Sequence, residues 1–352
     1  MSFNLLKIVR VHAWWNYIVP PILAAVYVTL LINNLMFYRA LLVTGLFLMS
    51  ITGTAIFGFA INDIADIVPD AAAGKPNRMA GVSRIQRILI LFAGLFLAVI
   101  PWLFLRFSAI ALALFILQII LLTIYAVKPF RLKEHIYASI VCDSLYSGLI
   151  FVLVVLFSQL QQPVIQKGVI LLCAVILMLL LRGIRNFLVH QVLDETNDRK
   201  SNITTYVTRY GHDLSLKIIK HVLLPAELLV IAAFVILMSL IFEYFWLIVP
   251  ASLLYYLLKR FDIKKAENMF HIQLINDFYE DMVPLFLLTY LTLADVRFMA
   301  IALVHILIFR NKVVWIVGEK VIYGFIYRKV ILWFYYKMFH NRFVKNIFQK
   351  NE

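Results

Sequence analysis

Residues 51–78 read ITGTAIFGFAINDIADIVPDAAAGKPNR and place acidic side chains directly after an apolar run. Asn62, Asp66 and Asp70 recur every four residues, a spacing that puts side chains on one face of a helix, with Asp63 beside them. Carboxylates are costly at the end of a membrane-grade helix, and hard oxygen ligands suit Mg²⁺. The stretch therefore predicts a metal site at a helix end. The alternative is an acidic helix end that has simply reached water.

A second stretch of the same kind lies at residues 191–200, which read QVLDETNDRK and also follow an apolar run. Its polar side chains recur at spacings of three and four residues. Two such helix ends in one chain favour metal binding over chance, and we expect Asp66, Asp194 and Asp198 to be catalytic. The predicted metal ligands are Asn62, Asp63, Asp66, Asp70, Gln191, Asp194 and Asp198.

Cations follow both acidic stretches, and a further basic segment, YAVKPFRLKEH, lies between them at residues 125–135. Carboxylates with Lys and Arg nearby suit a complex of Mg²⁺ with a diphosphate. His190 is a candidate general base or acceptor-binding group, although a satisfied interfacial histidine is the favoured interpretation of this position. The predicted substrate-binding residues are Lys75, Arg78, Tyr125, Lys128, Arg131, Lys133, His190, Gln191 and Arg199.

The composition is that of an integral membrane protein. The chain has 352 residues, of which 63% are hydrophobic and 15% charged, and its mean hydropathy is +0.91. Helices satisfy their own backbone hydrogen bonds in lipid, so long unbroken apolar runs predict an all-α fold rather than a barrel. The net charge of +14 is assigned to membrane topology, and we expect no nucleic acid partner.

About nine membrane-spanning segments are predicted around a central cavity, capped by cytoplasmic loops. Asp295 and Arg297 interrupt the last segment, which makes it the weakest. We expect a transmembrane domain at residues 1–310, a surface helix at 259–281, and a basic, aromatic-rich tail at 311–352 that lies on the membrane surface. The predicted segments are 17–35, 40–61, 88–105, 109–127, 136–156, 169–189, 222–241, 245–258 and 283–309.

The distribution of Lys and Arg predicts the orientation in the lipid bilayer. Loops after the even-numbered segments hold about sixteen of these residues, and loops after the odd-numbered segments about three. The even loops, both acidic stretches and the N-terminus are therefore expected in the cytoplasm, at a bacterial inner (plasma) membrane. Nine spans would place the basic tail outside, against the same rule. Either the ninth segment does not fully span, or the tail crosses, or the rule fails there.

These motifs resemble those of the UbiA superfamily of intramembrane prenyltransferases. The family's YxxxPxRxK segment is matched by Tyr125, Pro129, Arg131 and Lys133, and its second DxxxD by Asp194 and Asp198. The resemblance covers about residues 5–310 and implies nine helices, two Mg²⁺ and cytoplasmic capping loops. The first signature, NDxxDxxxD followed by KPNR, is matched by Asn62, Asp63, Asp66, Asp70, Lys75, Pro76, Asn77 and Arg78.

The chain departs from the family pattern at two places. Gln191 stands where many members carry a further Asp, which implies that one metal is held less strongly. The tail beyond Arg310 has no counterpart in the family core. In addition, no segment matches an acceptor signature for 4-hydroxybenzoate or haem precursors, so the acceptor stays undefined.

The leading hypothesis is a prenyltransferase that ionises a polyprenyl diphosphate and transfers the prenyl group to an aromatic or other lipophilic acceptor. The alternative is a terpene cyclase of the same superfamily, and the third candidate is a scaffold or transporter without catalysis. An acceptor needs a polar anchor, which Arg182, Arg185, His190 and Gln191 could supply within two to three turns of one helix. Otherwise these residues tie segment 6 to its neighbours or position the diphosphate.

Overall fold

A computed structural model describes residues 5–106, 108–200, 203–260 and 275–319, with a few further positions between 322 and 337. These residues are mainly helical and include no strand. Seven helices are long and apolar enough to cross a membrane, and two shorter apolar stretches are Phe245–Lys259 and Val296–Phe309. The all-helical membrane fold is therefore confirmed, whereas the predicted count of nine spans is not.

The helices follow the apolar runs of the sequence. Ile136–Gln159 forms one candidate span that is kinked at Gly148, where the backbone is not helical, and the π-helical turn Ile219–Leu223 makes His212–Ile241 continuous. In chain order the α-helices are α1 (Leu5–Ile8), α2 (Val11–Ile32), α3 (Phe37–Ala65), α4 (Ile67–Ala72), α5 (Arg84–Val99), α6 (Ala109–Ala126), α7 (Ile136–Ser144), α8 (Ile150–Gln159), α9 (Gln162–Lys167), α10 (Val169–Lys200), α11 (Tyr206–Tyr210), α12 (His212–Ile218), α13 (Leu224–Ile241), α14 (Ile248–Arg260), α15 (Val283–Ala294), α16 (Met299–Phe309) and α17 (Lys312–Val317).

The central helix of the bundle is α2, which packs against α3, α8, α15 and α16. It is the most buried of the seven candidate spans. Its apolar side chains, among them Val19, Ile22 and Leu23, belong to the largest buried cluster of the described residues. Burial among other helices rather than in lipid explains why this helix is apolar on all sides.

Small residues bring the motif-bearing helices close to their neighbours. A Cβ atom on Gly53 of α3 would lie 2.2 Å from the backbone nitrogen of Ala98 in α5. The Ser50 hydroxyl donates to the Ala98 carbonyl at 2.7 Å. Gly183 of α10 approaches Ser144 of α7 in the same way. Contacts between small residues are a main source of helix association in membranes, and here they fix α3 and α10.

The first acidic stretch does not lie on one continuous helix. α3 ends at Ala65, Asp66 forms the junction, and Asp70 belongs to the separate helix α4. The cause is Pro69, because a proline has no backbone N–H and its ring clashes with the carbonyl four residues earlier, which is that of Ala65. The predicted single face for Asn62, Asp66 and Asp70 is therefore broken after Asp66.

The predicted ninth segment, residues 283–309, is a helical hairpin. α15 ends at Ala294, and the Asp295 side chain accepts a hydrogen bond from the Arg297 backbone N–H at 3.0 Å in the turn. After α16 the chain returns to the start of the hairpin. There the Lys312 N–H donates to the Asp281 carboxylate at 2.7 Å, and the Asn311 amide donates to the Asp281 carbonyl at 3.1 Å.

Contacts with α2 and α3 show which end of the bundle each part of the hairpin reaches. The Trp15 indole, near the start of α2, donates to the Ile308 carbonyl at 3.1 Å. At the opposite end, the Phe298 ring meets Phe37, the first residue of α3, with 5.6 Å between centroids. The hairpin thus begins and ends beside the start of α2. Most of the predicted surface helix at 259–281 and of the tail at 311–352 lies outside the described residues.

Candidate active site

Three connections converge at one end of the bundle, which we call the motif end. They follow α3, α6 and α10, and they carry the three motifs found in the sequence. Arg131, after α6, contacts Asp66, after α3, at 2.7 Å. Lys75, after α4, lies 4.0 Å from Asp198, near the end of α10. The structure therefore brings together residues that are more than 60 positions apart in the sequence.

The motif cluster consists of Asn62, Asp66, Arg131 and Lys133. Lys133 Nζ donates to both carboxylate oxygens of Asp66 at 2.6 Å and to the Asn62 amide oxygen at 2.8 Å. Arg131 Nη2 donates to Asp66 Oδ1 at 2.7 Å. The Asp66 side chain is 19% exposed, so two cations converge on a carboxylate that solvent still reaches.

Arg131 also completes the ends of two helices. Its backbone has a left-handed conformation, with φ of 38°. Its Nη1 atom donates to the carbonyls of Ala65 at 3.2 Å and Ala126 at 3.3 Å, which are the last residues of α3 and α6. The Ala65 carbonyl is the one that cannot receive a helical hydrogen bond from Pro69. The guanidinium thus ties the break in the first motif to the basic segment.

The position of Lys133 disfavours its charged form, because its ammonium group is partly removed from water. Burial lowers the pKa of Lys133 below its ordinary value, while the hydrogen bond and charge of Asp66 act in the opposite direction. An ammonium group that is partly desolvated gains from any further negative charge placed beside it. The motif cluster is therefore suited to receive an anion.

The other two carboxylates of the first motif already have partners. Arg10 Nη1 donates to Asp63 Oδ1 at 3.1 Å, and the Asn77 amide donates to Asp70 Oδ2 at 2.8 Å. The same amide nitrogen donates to the Asp63 carbonyl at 2.8 Å. Arg10 was not predicted as a site residue, because it lies 53 positions before Asp63 and no local pattern marks it. Arg78 is exposed and acts on Asp63 through its charge.

The two aspartates of the second motif are less engaged than those of the first. Asp194 is 45% exposed, and its described partner is His190 at 3.0 Å. Asp198 is buried, and the nearest cation is Lys75 at 4.0 Å. His190 therefore has the carboxylate partner expected of an interfacial histidine, while its exposed position also leaves it accessible at the motif end.

Gln191 and Arg199 make contacts that were not predicted. The Gln191 side-chain oxygen accepts the Tyr206 backbone N–H at 3.1 Å, at the start of α11. Arg199 pairs with Glu195 at 2.9 Å and does not contact the aspartates within the described residues. As a metal ligand, Gln191 would first have to release Tyr206. Glu195 was not predicted as the partner of Arg199, because it lies beside Asp194 and Arg199 was assigned to the substrate from the sequence.

Tyr125 and Lys128 differ in their position within the basic segment. Lys128 is exposed, and its side chain makes no hydrogen bond or ion pair with the described residues. Tyr125 is half-buried, and its ring meets that of Tyr146 edge-on with 5.2 Å between centroids. Tyr125 also interacts electrostatically with both Asp66 and Asp143. The tyrosine, rather than the lysine, connects the motif end to the interior of the bundle.

The interior cluster consists of Arg182, Arg185, Glu227 and Glu280. The fully buried Arg185 guanidinium donates to both oxygens of Glu227, at 2.5 and 3.0 Å. Arg182 donates to Glu280 at 3.2 Å and to the Tyr17 carbonyl at 3.0 Å. The expectation that these arginines anchor an acceptor is corrected, because their charges are already paired. They tie α10 to α13 and to the chain before the hairpin.

A buried acidic group that was not predicted lies at the base of the hairpin. Oxygens of Asp277, Glu280 and Asp281 lie within 4.8 Å of one another. Lys312 Nζ donates to Asp277 at 2.7 Å and to Glu280 at 3.0 Å, and Lys259 also pairs with Asp277. Because lysines already neutralise these carboxylates, we assign no metal to them.

The motif end offers the ligand types that Mg²⁺ requires. Its donors are carboxylate and amide oxygens, which are hard ligands, and the described motif residues include no thiol. Asp66, Asp194 and Asp198 come from two helix ends that Lys75 connects. Together with Arg131 and Lys133, the arrangement can bind a metal ion and a multiply charged anion side by side.

Comparisons with known proteins identify the family and the fold. A sequence model described as the UbiA prenyltransferase family matches residues 15–275. A UbiA homologue from Archaeoglobus fulgidus has a similar structure, solved bound to DMAPP and Mg²⁺ (TM-score 0.53) and bound to GPP and Mg²⁺ (TM-score 0.52). Each of these alignments has 17% identity and covers 80% of this chain and 98% of the homologue. A search of curated proteins gives no match.

Proposed function

Because this chain belongs to the UbiA prenyltransferase family, we propose that it is a Mg²⁺-dependent intramembrane prenyltransferase. In this proposal the enzyme ionises a polyprenyl diphosphate and transfers the prenyl group to an aromatic or other lipophilic acceptor. The solved homologue supports the choice of donor, because its structures are described as bound to GPP or DMAPP together with Mg²⁺. The proposed roles of individual residues rest on the geometry of this chain.

One observation carries the proposal: Arg131 and Lys133 both donate to Asp66. Asp277 also pairs with two cations, Lys259 and Lys312, but its side chain is only 2% exposed, whereas the Asp66 side chain is 19% exposed. Two cations on one partly exposed carboxylate, beside further acidic residues, suit a site where metal and diphosphate share the charges. The pairing thus supports a common role for the first motif and the basic segment.

Asp66, Asp194 and Asp198 are the residues that would hold Mg²⁺ most directly. When bound, the metal neutralises the diphosphate oxygens and the charge that develops on them. Asn62, Asp63, Asp70 and Gln191 stay predicted ligands, and each accepts a hydrogen bond in this structure. Their donors are Lys133, Arg10, Asn77 and the Tyr206 N–H, respectively. The second oxygen of Asp63, Oδ2, is buried without a hydrogen-bond partner among the described residues, so Asp63 could bind a metal without releasing Arg10.

Arg131, Lys133 and Lys75 would donate to the diphosphate oxygens. Their positive charge stabilises the negative charge that develops on the leaving group in the transition state, as the bond between C1 and oxygen breaks. The helices beneath the motif end are apolar and rich in aromatic side chains, so they can hold the prenyl chain and keep water from an allylic cation. Arg78 and Lys128 would contribute only at longer range.

We also propose that the motif end faces the cytoplasm of a bacterial cell, with the lipid bilayer around the helices. The excess of Lys and Arg in the even-numbered loops supports this orientation. The hairpin supports it as well, because it brings Lys312 back to the start of α2. The basic tail would then start on the cytoplasmic side, in agreement with the same charge rule.

The experiment is to incubate purified protein with farnesyl or geranylgeranyl diphosphate, with either Mg²⁺ or EDTA and without an acceptor. We expect slow release of diphosphate that requires Mg²⁺ and is lost in Asp66→Asn. Diphosphate release that is as fast with EDTA as with Mg²⁺ would contradict the metal site. If mass spectrometry identified a cyclic hydrocarbon or terpene alcohol formed at catalytic rates, the protein would be a terpene cyclase rather than a prenyltransferase.

A further inference from the structure

Asp143 is a carboxylate inside a candidate membrane span that none of the motifs includes. It lies in α7, seven residues after the helix starts at Ile136, or about 10 Å along its axis. It is half-buried and accepts one hydrogen bond, from the Tyr146 hydroxyl at 2.7 Å. Among the described residues no cation lies within ion-pair distance of it.

The lack of a cationic partner sets Asp143 apart from the other charges of the interior. Arg182, Arg185 and Glu227 each have an oppositely charged partner. Placing a carboxylate within a membrane span costs free energy. A carboxylate whose charge is not compensated by an ion pair therefore indicates a functional site. Asp143 therefore retains a free acceptor capacity that the interior cluster does not have.

Its neighbours place Asp143 beneath the motif end. Tyr146, its hydrogen-bond donor, meets the ring of Tyr125 in α6. Tyr125 lies at the end of α6, just before the segment that carries Arg131. Helix α7 packs against α10, where Gly183 approaches Ser144, the residue after Asp143. The carboxylate thus lies between α6 and α10, on the membrane side of the residues proposed to hold the diphosphate.

The helix is kinked directly after Asp143. The backbone of Gly148 is not helical there, with φ of 165° and ψ of −36°. Serine–glycine pairs are common positions of helix kinks, and Ser147 precedes this glycine. The Gln118 amide donates to the Tyr146 backbone carbonyl at 2.8 Å, so a polar side chain of α6 holds the backbone beside the kink.

We propose that Asp143 binds a neutral, hydroxyl-bearing acceptor and takes the proton that this acceptor loses, an inference that rests on the proposed prenyl transfer. The bond between C1 of the prenyl group and the diphosphate oxygen breaks, and its electron pair leaves with the diphosphate. The hydroxyl oxygen, or a ring carbon that it activates, forms the new bond to C1. The proton released from that atom passes to the Asp143 carboxylate.

The same arrangement disfavours an anionic acceptor. A carboxylate or phosphate on the acceptor would need a cation in the interior, but Arg182 and Arg185 are already paired with Glu280 and Glu227. It would also face Asp143, and like charges at close range repel strongly in a medium of low dielectric constant. The class of acceptor that fits is a neutral phenol or alcohol.

The test uses two probes that differ by one carboxylate, 1-naphthol and 1-hydroxy-2-naphthoate. Purified full-length protein receives Mg²⁺, farnesyl diphosphate and one of the probes, and prenylated product is measured by mass spectrometry. We expect 1-naphthol to be prenylated at least about tenfold faster than the carboxylated probe. Equal rates, or faster reaction of the anionic probe, would overturn the inference without recourse to any variant.

Asp143→Asn keeps the size of the side chain and removes the base. The ratio of transfer to acceptor-free diphosphate release should fall by about a hundredfold or more, the range typical of a lost general base. Tyr146→Phe keeps the carboxylate and should lower the same ratio only about fivefold, the effect of one hydrogen bond. Binding of 1-naphthol to metal-free protein, followed by its fluorescence, should weaken in Asp143→Asn but persist in Tyr146→Phe.

Two further results would contradict the role of Asp143. One is an unchanged ratio in Asp143→Asn, and the other is a wild-type enzyme that releases diphosphate with Mg²⁺ but prenylates neither probe. In both cases the metal-dependent ionisation stands. Loss of Mg²⁺-dependent diphosphate release from the wild-type enzyme, by contrast, would refute the proposed function itself.

Discussion

The motif cluster and the interior cluster contain the same kinds of side chain, but they differ in how completely the charges are paired. In the interior, Arg182 and Arg185 pair with Glu280 and Glu227, and Lys312 is a second cation on Glu280. The Asn276 and Asn186 side chains and the Tyr279 hydroxyl add hydrogen bonds to Arg185 and Glu227, whereas Arg182 Nε is buried without a hydrogen-bond partner among the described residues. Each charge of that cluster has an oppositely charged partner, so its main effect is to hold helices together.

At the motif end, two cations share Asp66. Glu134 also pairs with Arg131, but its side chain is 60% exposed, where water screens its charge. The motif cluster therefore keeps a surplus of positive charge next to solvent. The comparison shows that a charged cluster indicates a ligand-binding site only when some of its charge is not neutralised by residues of the protein.

The largest effect is expected for Asp66→Ala. Removing this carboxylate removes a metal ligand and leaves Arg131 and Lys133 without their shared partner, so turnover should fall by more than about a thousandfold. Asp194→Ala should act in the same way. Mg²⁺-dependent diphosphate release measures the loss, and thermal unfolding in detergent checks the fold. The control is Asp213→Ala, an exposed acid in α12, and activity near the wild-type level in Asp66→Ala would refute the role of this residue.

The next effect is on stability rather than catalysis. Glu227→Ala leaves the fully buried Arg185 guanidinium without its carboxylate, which should lower the free energy of unfolding by about 3–5 kcal/mol. The protein that remains folded should still release diphosphate. Thermal unfolding and activity per folded molecule separate the two effects. If Glu227→Ala lost turnover with an unchanged Tm, the interior cluster would belong to the site.

Arg131→Ala should have an intermediate effect. It removes a proposed diphosphate donor and the partner of the Ala65 carbonyl, so the apparent KM for the prenyl diphosphate should rise about tenfold or more, with a smaller fall in kcat. Lys128→Ala is the matched control from the same segment, because its exposed side chain makes no hydrogen bond or ion pair with a described residue. Equal effects of the two substitutions would mean that the segment acts through its net charge alone.

The smallest effect is expected for Arg199→Ala. The sequence predicts that Arg199 binds substrate, but the structure pairs it with Glu195 on the exposed side of α10. Exposed pairs of this kind contribute little, so KM should change less than about threefold. A rise as large as that of Arg131→Ala would show that Arg199 exchanges Glu195 for the diphosphate.

Much of this comparison could be predicted from local pattern. The apolar runs gave the helices, and the first motif and the basic segment were both expected at a common metal and diphosphate site. The structure joins them through Asp66. The break of the first motif was also contained in the sequence, since Pro69 follows Ala65 by four residues, but the regular spacing of the acids concealed it.

Pairing between distant residues could not be predicted in this way. Arg185 finds Glu227 42 positions later, and Arg182 finds Glu280 98 positions later. No periodicity connects them, because their contact depends on which helices become neighbours. The carboxylate of Asp143 was missed for the same reason, since only the surrounding helices show that no described cation lies within ion-pair distance of it. The hairpin was anticipated only as a weak span at Asp295.

The hairpin also bears on how the protein is made. While the chain is being synthesised, Asp277 and Glu280 can pair with Lys259 and Arg182, which precede them, whereas Asp281 emerges 31 residues before Lys312, its ion-pair partner among the described residues. Until that lysine leaves the ribosome, α15 would enter lipid with uncompensated charge at its base, which is unfavourable. The two arms are therefore best inserted together as a single late unit. Biogenesis of the whole bundle would then be completed only after translation has passed the last contact with α2.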